Sequence, residues 1–258
     1  MSDLPKLIEL KKKFKYRLIL DESISFGSVG RTGRGLTELY NVPATEVDML
    51  IGSMANGLCA TGGFCAGSIP VTEHQRINGT AFVFSAAIPA LLAVCASEGI
   101  NILTSTPSLL ETLQDNARAI RSVLDKVDLI EIPSHPASAV IHVCVRRHAY
   151  NSSGGMLAPG AAPQPPKHTK SNPAVLTASK DHFEHDWHTE ERLIQEVVEE
   201  ALAQGVMITR AKRLRGQEPW EPRASLKIVA TAALTRKECE KAAGVIKAVL
   251  VKVLSRRR

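Results

Sequence analysis

Aromatic residues are scarce in this chain of 258 residues, at 4% of the sequence, so base stacking on nucleic acids has little to work with. The five cysteines are an odd, scattered set without a CxxC pair. That pattern argues against a disulfide scaffold and for a reducing compartment, where we expect buried thiols. The N-terminus has no continuous apolar run of the kind a signal peptide needs, so secretion is not expected.

Long charge-free stretches are also rare. The stretch 77–97 has no charged residue and could be scanned as a membrane helix, but Asn78, Gly79, Ser85 and Pro89 interrupt it. These residues suit a lipid-exposed helix poorly. We therefore expect a buried strand followed by a buried helix in this stretch.

The composition itself is that of a globular protein, with 44% hydrophobic and 22% charged residues. The length allows one large domain or two small ones. Lys and Arg outnumber Asp and Glu by 32 to 26, a formal charge of +6. Such a charge permits an anionic partner without requiring one.

Helical and strand patterns alternate along the chain and predict an α/β or α+β protein with a mostly buried sheet. Helices are expected over 4–13, from Thr106 and Pro107 to 123, from an N-cap at Thr189 to Gly205, and from a capping box of Thr235 and Glu238 to about 254. Strands are expected over 16–20, 47–51, 63–67, 81–84, 129–132, 140–145, 206–209 and 226–230.

A change of composition divides the chain. Residues 150–180 are rich in Pro, Gly, Ser and Ala and have no apolar period, which predicts a long surface loop. The sequence thus predicts a large-domain part over 1–149 and a small C-terminal subdomain over 181–258.

Asp21 directly follows an expected strand, and ligands of α/β sheets bind at the carboxyl ends of strands. Two interpretations stay open: a carboxylate that pairs with a protonated ring nitrogen of a cofactor, or the cap of a turn. The glycine-rich segment Gly27 to Gly35 follows and contains two arginines. It matches neither G-x-x-x-x-G-K-[ST] nor G-x-G-x-x-G, so a phosphate site competes there with a demanding surface turn.

Two further clusters have plain explanations beside functional ones. His182, His185 and His188 recur at every third residue, which could hold a metal or could simply be polar residues before a helix. We expect no metal. The basic run from Arg210 to Arg215 fits a solvated rim better than a nucleic-acid contact.

Three motifs in order resemble the α-oxoamine synthases, which are fold-type-I enzymes dependent on pyridoxal 5′-phosphate (PLP). They read DESISFGSVGRTGRG, VDMLIGSMANGLCATGGFCAG and AFVFSAAIPA. The resemblance covers most of the chain. It implies an α/β fold made of a partial large domain with a mostly parallel sheet and a small C-terminal α+β domain.

The resemblance implies that some functional positions of the family are kept in this chain and that others are lost. Asp21 matches the acid that pairs with the pyridinium nitrogen, whereas Ile24 stands where active members have a histidine. Asn56 stands at the lysine that binds PLP covalently, and an amide is no nucleophilic amine. Ser53 keeps the hydroxyl three residues earlier. The resemblance therefore implies that this chain alone is inactive and has no catalytic residue of its own.

The glycine-rich motif and G-G-F-C-A-G resemble one branch of the family, the non-catalytic long-chain-base subunits of serine palmitoyltransferase. Their partner is the catalytic subunit 2, which keeps the lysine and PLP, so a heterodimer is implied. Ser85 matches a residue that reaches the partner's cofactor phosphate, while Ala86 and Ala90 replace a hydroxyl and a proline of that motif. Lys227 matches the arginine that binds the substrate carboxylate, without its bidentate fork.

The resemblance also implies a place in the cell, the cytosolic face of the endoplasmic reticulum membrane. Members of the family have another half of the large domain upstream and, in this branch, an N-terminal membrane helix. We therefore expect this sequence to be a C-terminal fragment. The membrane contact would come through that helix or through the partner.

One alternative function comes from the residues without the resemblance. It is an active small-molecule α/β enzyme that holds a phosphate at the loop from Gly27 to Gly35 and uses Asp21 as an acid or base. Such an enzyme would be stabilised by nucleotides, by about 2.7 kcal/mol at a hundredfold excess over the dissociation constant. The subunit interpretation predicts no such effect.

Overall fold

A computed structural model describes residues 1–146, 180–212 and 223–256, and gives only the backbone helix over 180–187. The chain forms two compact units. The first contains Met1–Ala117, His135–Ala139 and Thr231–Leu234, and the second contains Arg118–Ser134, Val140–Ala230 and Thr235–Arg258. This division differs from the one expected at 149 and 181, which stays a prediction.

The first unit contains a three-stranded sheet, seven α-helices and a short 3-10 helix, Ala44–Glu46, among its described residues. The helices are α1 Leu4–Phe14, α2 Leu36–Leu39, α3 Met54–Leu58, α4 Ile69–Asn78, α5 Thr80–Phe84, α6 Ala90–Ser105 and the first part of α7 Ser108–Leu124, and the strands are β1 Ile19–Asp21, β2 Met49–Ser53 and β3 Gly63–Gly67. The expected helix over 4–13 is confirmed as α1. Its N-cap Asp3 accepts a hydrogen bond from the Lys6 backbone N–H.

The sheet of the first unit is mixed. Strands β1 and β2 pair in parallel with Asp21 opposite Ile51, and β2 and β3 pair antiparallel with Ser53 opposite Gly63. A mostly parallel sheet is therefore not found among the described residues, since one of the two pairings is antiparallel. An apolar cluster of this unit contains Leu20 of β1 together with Leu4, Ile8, Leu18, Leu36 and Val47.

The expected strand over 81–84 is wrong, because these residues form α5. The expected burial of 77–97 is wrong as well. Of the residues in α4, α5 and α6, only Ala96 is buried. Large apolar side chains are exposed there instead: Ile69, Ile77, Phe82, Val83, Phe84, Leu91, Val94, Ile100 and Ile102. Within the described ranges, no helix combines the length and the apolar character that crossing a bilayer requires.

The second unit is built on an antiparallel sheet in the order β4-β5-β7-β6. Its strands are β4 Ile130–Glu131, β5 Val140–Val145, β6 Thr209–Arg210 and β7 Leu226–Val229, and its helices are the end of α7, α8 Lys180–Ala203 and α9 Arg236–Ser255. The strand expected over 140–145 is confirmed as β5. Helices α8 and α9 contact each other, and each has buried apolar residues, such as Val197 and Val249.

Two helix starts of the second unit have opposite outcomes. The capping box of Thr235 and Glu238 is confirmed in both directions, with each side chain bonded to the other residue's backbone N–H. The N-cap at Thr189 is wrong, because α8 begins at Lys180 and runs through Thr189. Most of the expected loop at 150–180 lies outside the described residues.

The expectation of buried thiols holds for only part of the set. Cys144 and Cys239 are buried, and burial raises the pKa of Cys239. Cys65 is half-buried, whereas Cys59 and Cys95 are exposed.

Candidate functional site

The parallel pairing of β1 and β2 brings the expected site residues to one edge of the sheet. Asp21 is the last residue of β1, and Ser53 is the last of β2. The chain continues from Ser53 directly into α3, with the Ser53 hydroxyl accepting a hydrogen bond from the Ala55 N–H at 3.1 Å. The carboxyl ends of parallel strands share one edge, which is where ligands bind in open α/β sheets.

Ser23 connects Asp21 and Asn56. The Ser23 N–H donates to the Asp21 carboxylate at 2.8 Å, and the Ser23 carbonyl accepts a hydrogen bond from the Asn56 side-chain amide at 2.8 Å. Hydrogen bonds from the Ser23 hydroxyl and then from its N–H lower the pKa of Asp21. Asp21 is exposed and is an anion at neutral pH. Sequence analysis identified Asp21 and Asn56 but not Ser23, which carries no special signal in the motif.

The loops that carry these residues touch through bare backbone. A Cβ atom on Gly57 would lie 2.7 Å from the Phe26 carbonyl oxygen, and one on Gly27 would lie 2.9 Å from the Gly57 Cα. Gly27 also has a φ of +77°, which side chains other than glycine's rarely adopt. Glycine at both positions therefore allows the close approach that puts Asn56 within reach of Ser23.

A buried carboxylate that sequence analysis missed organises the start of the glycine-rich segment. Glu22 is fully buried and accepts hydrogen bonds from the Ser25 hydroxyl and from the Leu36 N–H, the latter at 2.8 Å. A Cβ atom on Gly35 would collide with this carboxylate. The only hint in the sequence is its position beside Asp21 in the first motif.

The middle of the glycine-rich segment is occupied by a second carboxylate of the chain. Glu38 accepts hydrogen bonds from the Thr32 N–H at 3.0 Å, from the Thr32 hydroxyl at 2.9 Å and from the Arg34 N–H at 3.2 Å. Burial alone raises the pKa of Glu38, but these hydrogen bonds outweigh it and leave that pKa lowered. The backbone groups that a phosphate would need are thus bonded to an acid of the chain itself.

Ile24 lies in the chain between Glu22 and the part of the glycine-rich segment that is bonded to Glu38. Its side chain is 50% exposed and forms no hydrogen bond, while its backbone carbonyl accepts one from the Ser28 hydroxyl at 2.7 Å. The position where active family members have a histidine is therefore apolar and open to solvent.

Ser85 is not brought into this cluster. It follows α5 and is exposed, and no hydrogen bond joins it to any residue that the structure describes. Phe82, Val83 and Phe84 beside it are 48%, 50% and 86% exposed. Ser85 therefore lies on an apolar surface of the first unit.

Lys227 belongs to the second unit, on β7. Its register partners are His142 on β5 and Thr209 on β6. Burial first, and then the charge of Lys227, lower the pKa of His142, whose Nδ1 lies 3.0 Å from the Ser225 hydroxyl. The Lys227 side chain is half-buried.

The structure describes only part of the histidine cluster and of the basic run from Arg210 to Arg215. The side chains of His182 and His185 and the residues 213–215 lie outside the described residues. Arg210 forms an ion pair with Glu191 at 3.2 Å, as a structural rim residue would. Among the described side chains, no group of three His, Cys, Asp or Glu residues could hold a metal ion.

Comparison with known proteins shows which family the chain resembles. The profile of the family "Aminotransferase class I and II" matches residues 1–246. Serine palmitoyltransferase 1 of Dictyostelium discoideum is 34% identical over 96% of this chain and 46% of its own length. Serine palmitoyltransferase 1 of Saccharomyces cerevisiae is 32% identical over 96% of this chain and 44% of its own length.

A solved structure shows the same fold. It is a serine palmitoyltransferase variant from S. paucimobilis with a bound aldimine of PLP and myriocin. The TM-score is 0.72 at 18% identity, over 98% of this chain and 52% of that one. This likeness confirms the expected fold class. The chain spans about half the length of the curated relatives it matches.

Proposed function

Because the chain belongs to the class I and II aminotransferase family, we propose that it is part of the non-catalytic subunit of a serine palmitoyltransferase. That enzyme condenses L-serine with palmitoyl-CoA to 3-ketosphinganine, the first step of sphingolipid synthesis. The curated relatives named serine palmitoyltransferase 1 and long chain base biosynthesis protein 1 support the proposal.

The observation that carries the proposal is the state of Asn56. Its amide donates to the Ser23 carbonyl, so the residue at the expected lysine position links α3 to the segment that follows β1 by a hydrogen bond. An amide nitrogen cannot form a covalent bond with the aldehyde of PLP, because its lone pair is delocalised into the carbonyl. The residue at the family's lysine position thus lacks the amine that the family's chemistry needs.

The residues present fit PLP only in part. Asp21 is ionised, as a partner of a pyridinium nitrogen must be, and its exposure at the strand end leaves it accessible to a ligand. Asn56 offers no covalent attachment. PLP, when bound, supplies an electron sink for the carbanion formed from the amino acid. We propose that the partner, the catalytic subunit 2, holds PLP covalently and that this chain completes the heterodimer.

The contact with the partner is proposed to include Ser85. Its exposure on the surface formed by Phe82, Val83 and Phe84 supports this role, since exposed apolar patches mark interaction sites. The Ser85 hydroxyl would donate a hydrogen bond to the phosphate of the partner's PLP. Ala86 and Ala90 offer no further hydroxyl or ring there.

Lys227 is proposed as the substrate-binding position, matched to the arginine that binds the substrate carboxylate in active members. It has a single ammonium group and no planar fork that could bind a carboxylate through two parallel hydrogen bonds. The protein is further proposed to act at the cytosolic face of the endoplasmic reticulum membrane, where the resemblance puts the branch.

A reduction experiment tests the proposal. The tagged chain is purified from its own cells with its bound subunit, the complex is treated with borohydride, and peptides are analysed by mass spectrometry. Borohydride fixes PLP on the lysine that holds it. We expect a homologous subunit in the complex, with the phosphopyridoxyl group on a lysine of that subunit and 3-ketosphinganine formed from serine and palmitoyl-CoA.

A matched pair of variants tests the proposed role of Ser85. Ser85→Ala is expected to lower the activity of the complex, while Ser68→Ala, at another exposed serine of the same unit, leaves it unchanged. A phosphopyridoxyl group on this chain would contradict the division of labour, and a complex that makes no 3-ketosphinganine would contradict the activity.

The alternative enzyme with a phosphate site at Gly27 to Gly35 is not favoured. Glu38 already accepts the hydrogen bonds of Thr32 and Arg34, and its negative charge would repel a phosphate. A rise in melting temperature with nucleotide would revive that alternative.

A further inference from the structure

The C-terminal end of α1 combines a dense positive charge with exposed aromatic rings. Six consecutive residues form what we call the basic aromatic patch: Lys12, Lys13, Phe14, Lys15, Tyr16 and Arg17. We infer that this patch is a contact site for the surface of an anionic lipid bilayer. The inference depends on α1 and its neighbours and is independent of the proposed function.

The patch has a defined backbone. Helix α1 ends because Lys15 takes a left-handed conformation with φ of 57°, and its N–H donates to the Lys11 carbonyl at 2.8 Å. This turn folds the chain back, so that the Tyr16 hydroxyl donates to the Leu7 carbonyl at 3.1 Å. The charged and aromatic residues are therefore held at one helix end.

Acidic neighbours neutralise only part of the charge. Asp48 pairs with Lys11 at 2.7 Å and with Arg17 at 2.9 Å, and Glu46 pairs with Lys12 at 3.0 Å. Lys13 and Lys15 are exposed and form no ion pair with any residue in the described ranges. The patch thus keeps a net positive charge that its own surroundings do not compensate.

The helix dipole does not account for this surplus. A cation in the last turn stabilises a helix by interacting with its free carbonyls, and Lys11, Lys12 and Lys13 lie there. Lys15 lies beyond the last turn and forms no ion pair with a described residue. Its charge is therefore left for a negatively charged surface outside the chain.

The aromatic residues distinguish a bilayer from a simple polyanion. Phe14 is 62% exposed, with the Lys13 ammonium 5.2 Å from its ring centre, and Tyr16 is 37% exposed. Aromatic rings prefer the interface between lipid headgroups and acyl chains, and lysines beside them interact with anionic headgroups. An exposed ring suits the boundary of the acyl chains, and the free cations beside it suit the anionic headgroups.

Flotation with vesicles tests the inference. The full chain is mixed with phosphatidylcholine vesicles that contain about 30 mol % phosphatidylserine, or none. We expect binding to the anionic vesicles alone, and we expect it to weaken between about 50 and 500 mM salt as screening shortens the range of the charges. Lys13→Gln with Lys15→Gln is expected to weaken binding about thirtyfold, at about a fivefold loss per cation.

Two further variants separate the possible outcomes. Lys237→Gln with Lys241→Gln removes the same charge from exposed positions of α9 and is expected to leave binding unchanged. Phe14→Ser is expected to weaken binding severalfold, because the ring no longer enters the interface. Thermal melts of all variants confirm that each is folded.

Three results would overturn the inference. One is equal binding of the wild type and the Lys13 and Lys15 double variant to anionic vesicles. Another is equal binding to neutral vesicles, which would assign lipid contact to the exposed apolar residues of α4–α6. The third is competition by a short RNA duplex together with indifference to Phe14→Ser, which would identify the patch as a general polyanion site.

Discussion

Two regions of the first unit differ in their bonding: the polar groups of one are hydrogen-bonded within the chain, and the apolar side chains of the other are exposed. The loop region, formed by 21–35 and α3, uses its own groups: Ser23, Glu22 and Glu38 bind the amides, hydroxyls and carbonyls around them. The helical region, formed by α4, α5 and α6, leaves its apolar side chains in solvent, with Ala96 as its only buried residue. The polar groups of the loop region are therefore bonded within the chain, whereas the apolar side chains of the helical region are exposed.

The largest effect is expected where the two loops meet. Gly27→Ala combines the strain of a positive φ, about 1–2 kcal/mol, with a clash against Gly57, about 1–3 kcal/mol, so the unfolding free energy should fall by about 3 kcal/mol. Chemical denaturation measures this change. Gly205→Ala is the matched control, because Gly205 has the same positive φ and no atom within 4 Å of an added Cβ.

The control separates strain from contact. Gly205→Ala should cost about 1 kcal/mol, the strain alone. Equal losses for both variants would mean that the loops do not pack through their backbones, and the comparison between the two regions would lose its basis.

A smaller effect is expected at the lost lysine position. Asn56→Ala removes the hydrogen bond to the Ser23 carbonyl and should lower the unfolding free energy by about 1 kcal/mol. Asn78→Ala in the helical region serves as the control, since its amide bonds only within α4, to His74. A stability of Asn56→Ala equal to that of wild type would show that the amide is no tie between the loops.

These two regions also separate what sequence could predict from what it could not. The strand over 63–67 and the capping box of Thr235 and Glu238 were predictable, because their signals are local: a short apolar run with glycine ends, and two side chains three residues apart. The run Ala81 to Phe84 has strand-forming residues but forms α5. Four residues are too few to reveal a period, and the neighbouring helices decide the outcome.

The candidate site was predictable in its family positions and not in its bonds. Asp21 and Asn56 stand in recognisable motifs, whereas the roles of Ser23 and Glu38 depend on loops that meet only after folding. The predicted N-cap at Thr189 is wrong for a related reason. A threonine inside a long helix has the same local sequence signal as one that starts a helix.

A still smaller effect on stability is expected in the helical region. Phe84→Ser should change the unfolding free energy of the chain by less than about 0.5 kcal/mol, because the ring is 86% exposed. Under the proposed function the same variant should weaken binding to the catalytic subunit about tenfold or more, which a titration measures. Met207→Ser, at an 83% exposed residue of the second unit, should change neither quantity. A strong loss of stability in Phe84→Ser would mean that the region packs on its own chain.

The smallest effect is expected on the pKa of Asp21 in the loop region. The pKa of Asp21 is lowered from its ordinary value of 3.8 because the Ser23 hydroxyl and N–H stabilise the carboxylate. Asp21 therefore adds stability above its unfolded pKa, and this stability is lost as the pH falls through its folded pKa. Ser23→Ala should raise the pKa of Asp21 only part of the way, because the N–H bond remains. Carboxyl NMR titration measures the pKa, with Ser28→Ala as the control because that hydroxyl bonds to the Ile24 carbonyl instead. A pKa that does not move in Ser23→Ala would leave Ser23 as a backbone link alone between Asp21 and Asn56.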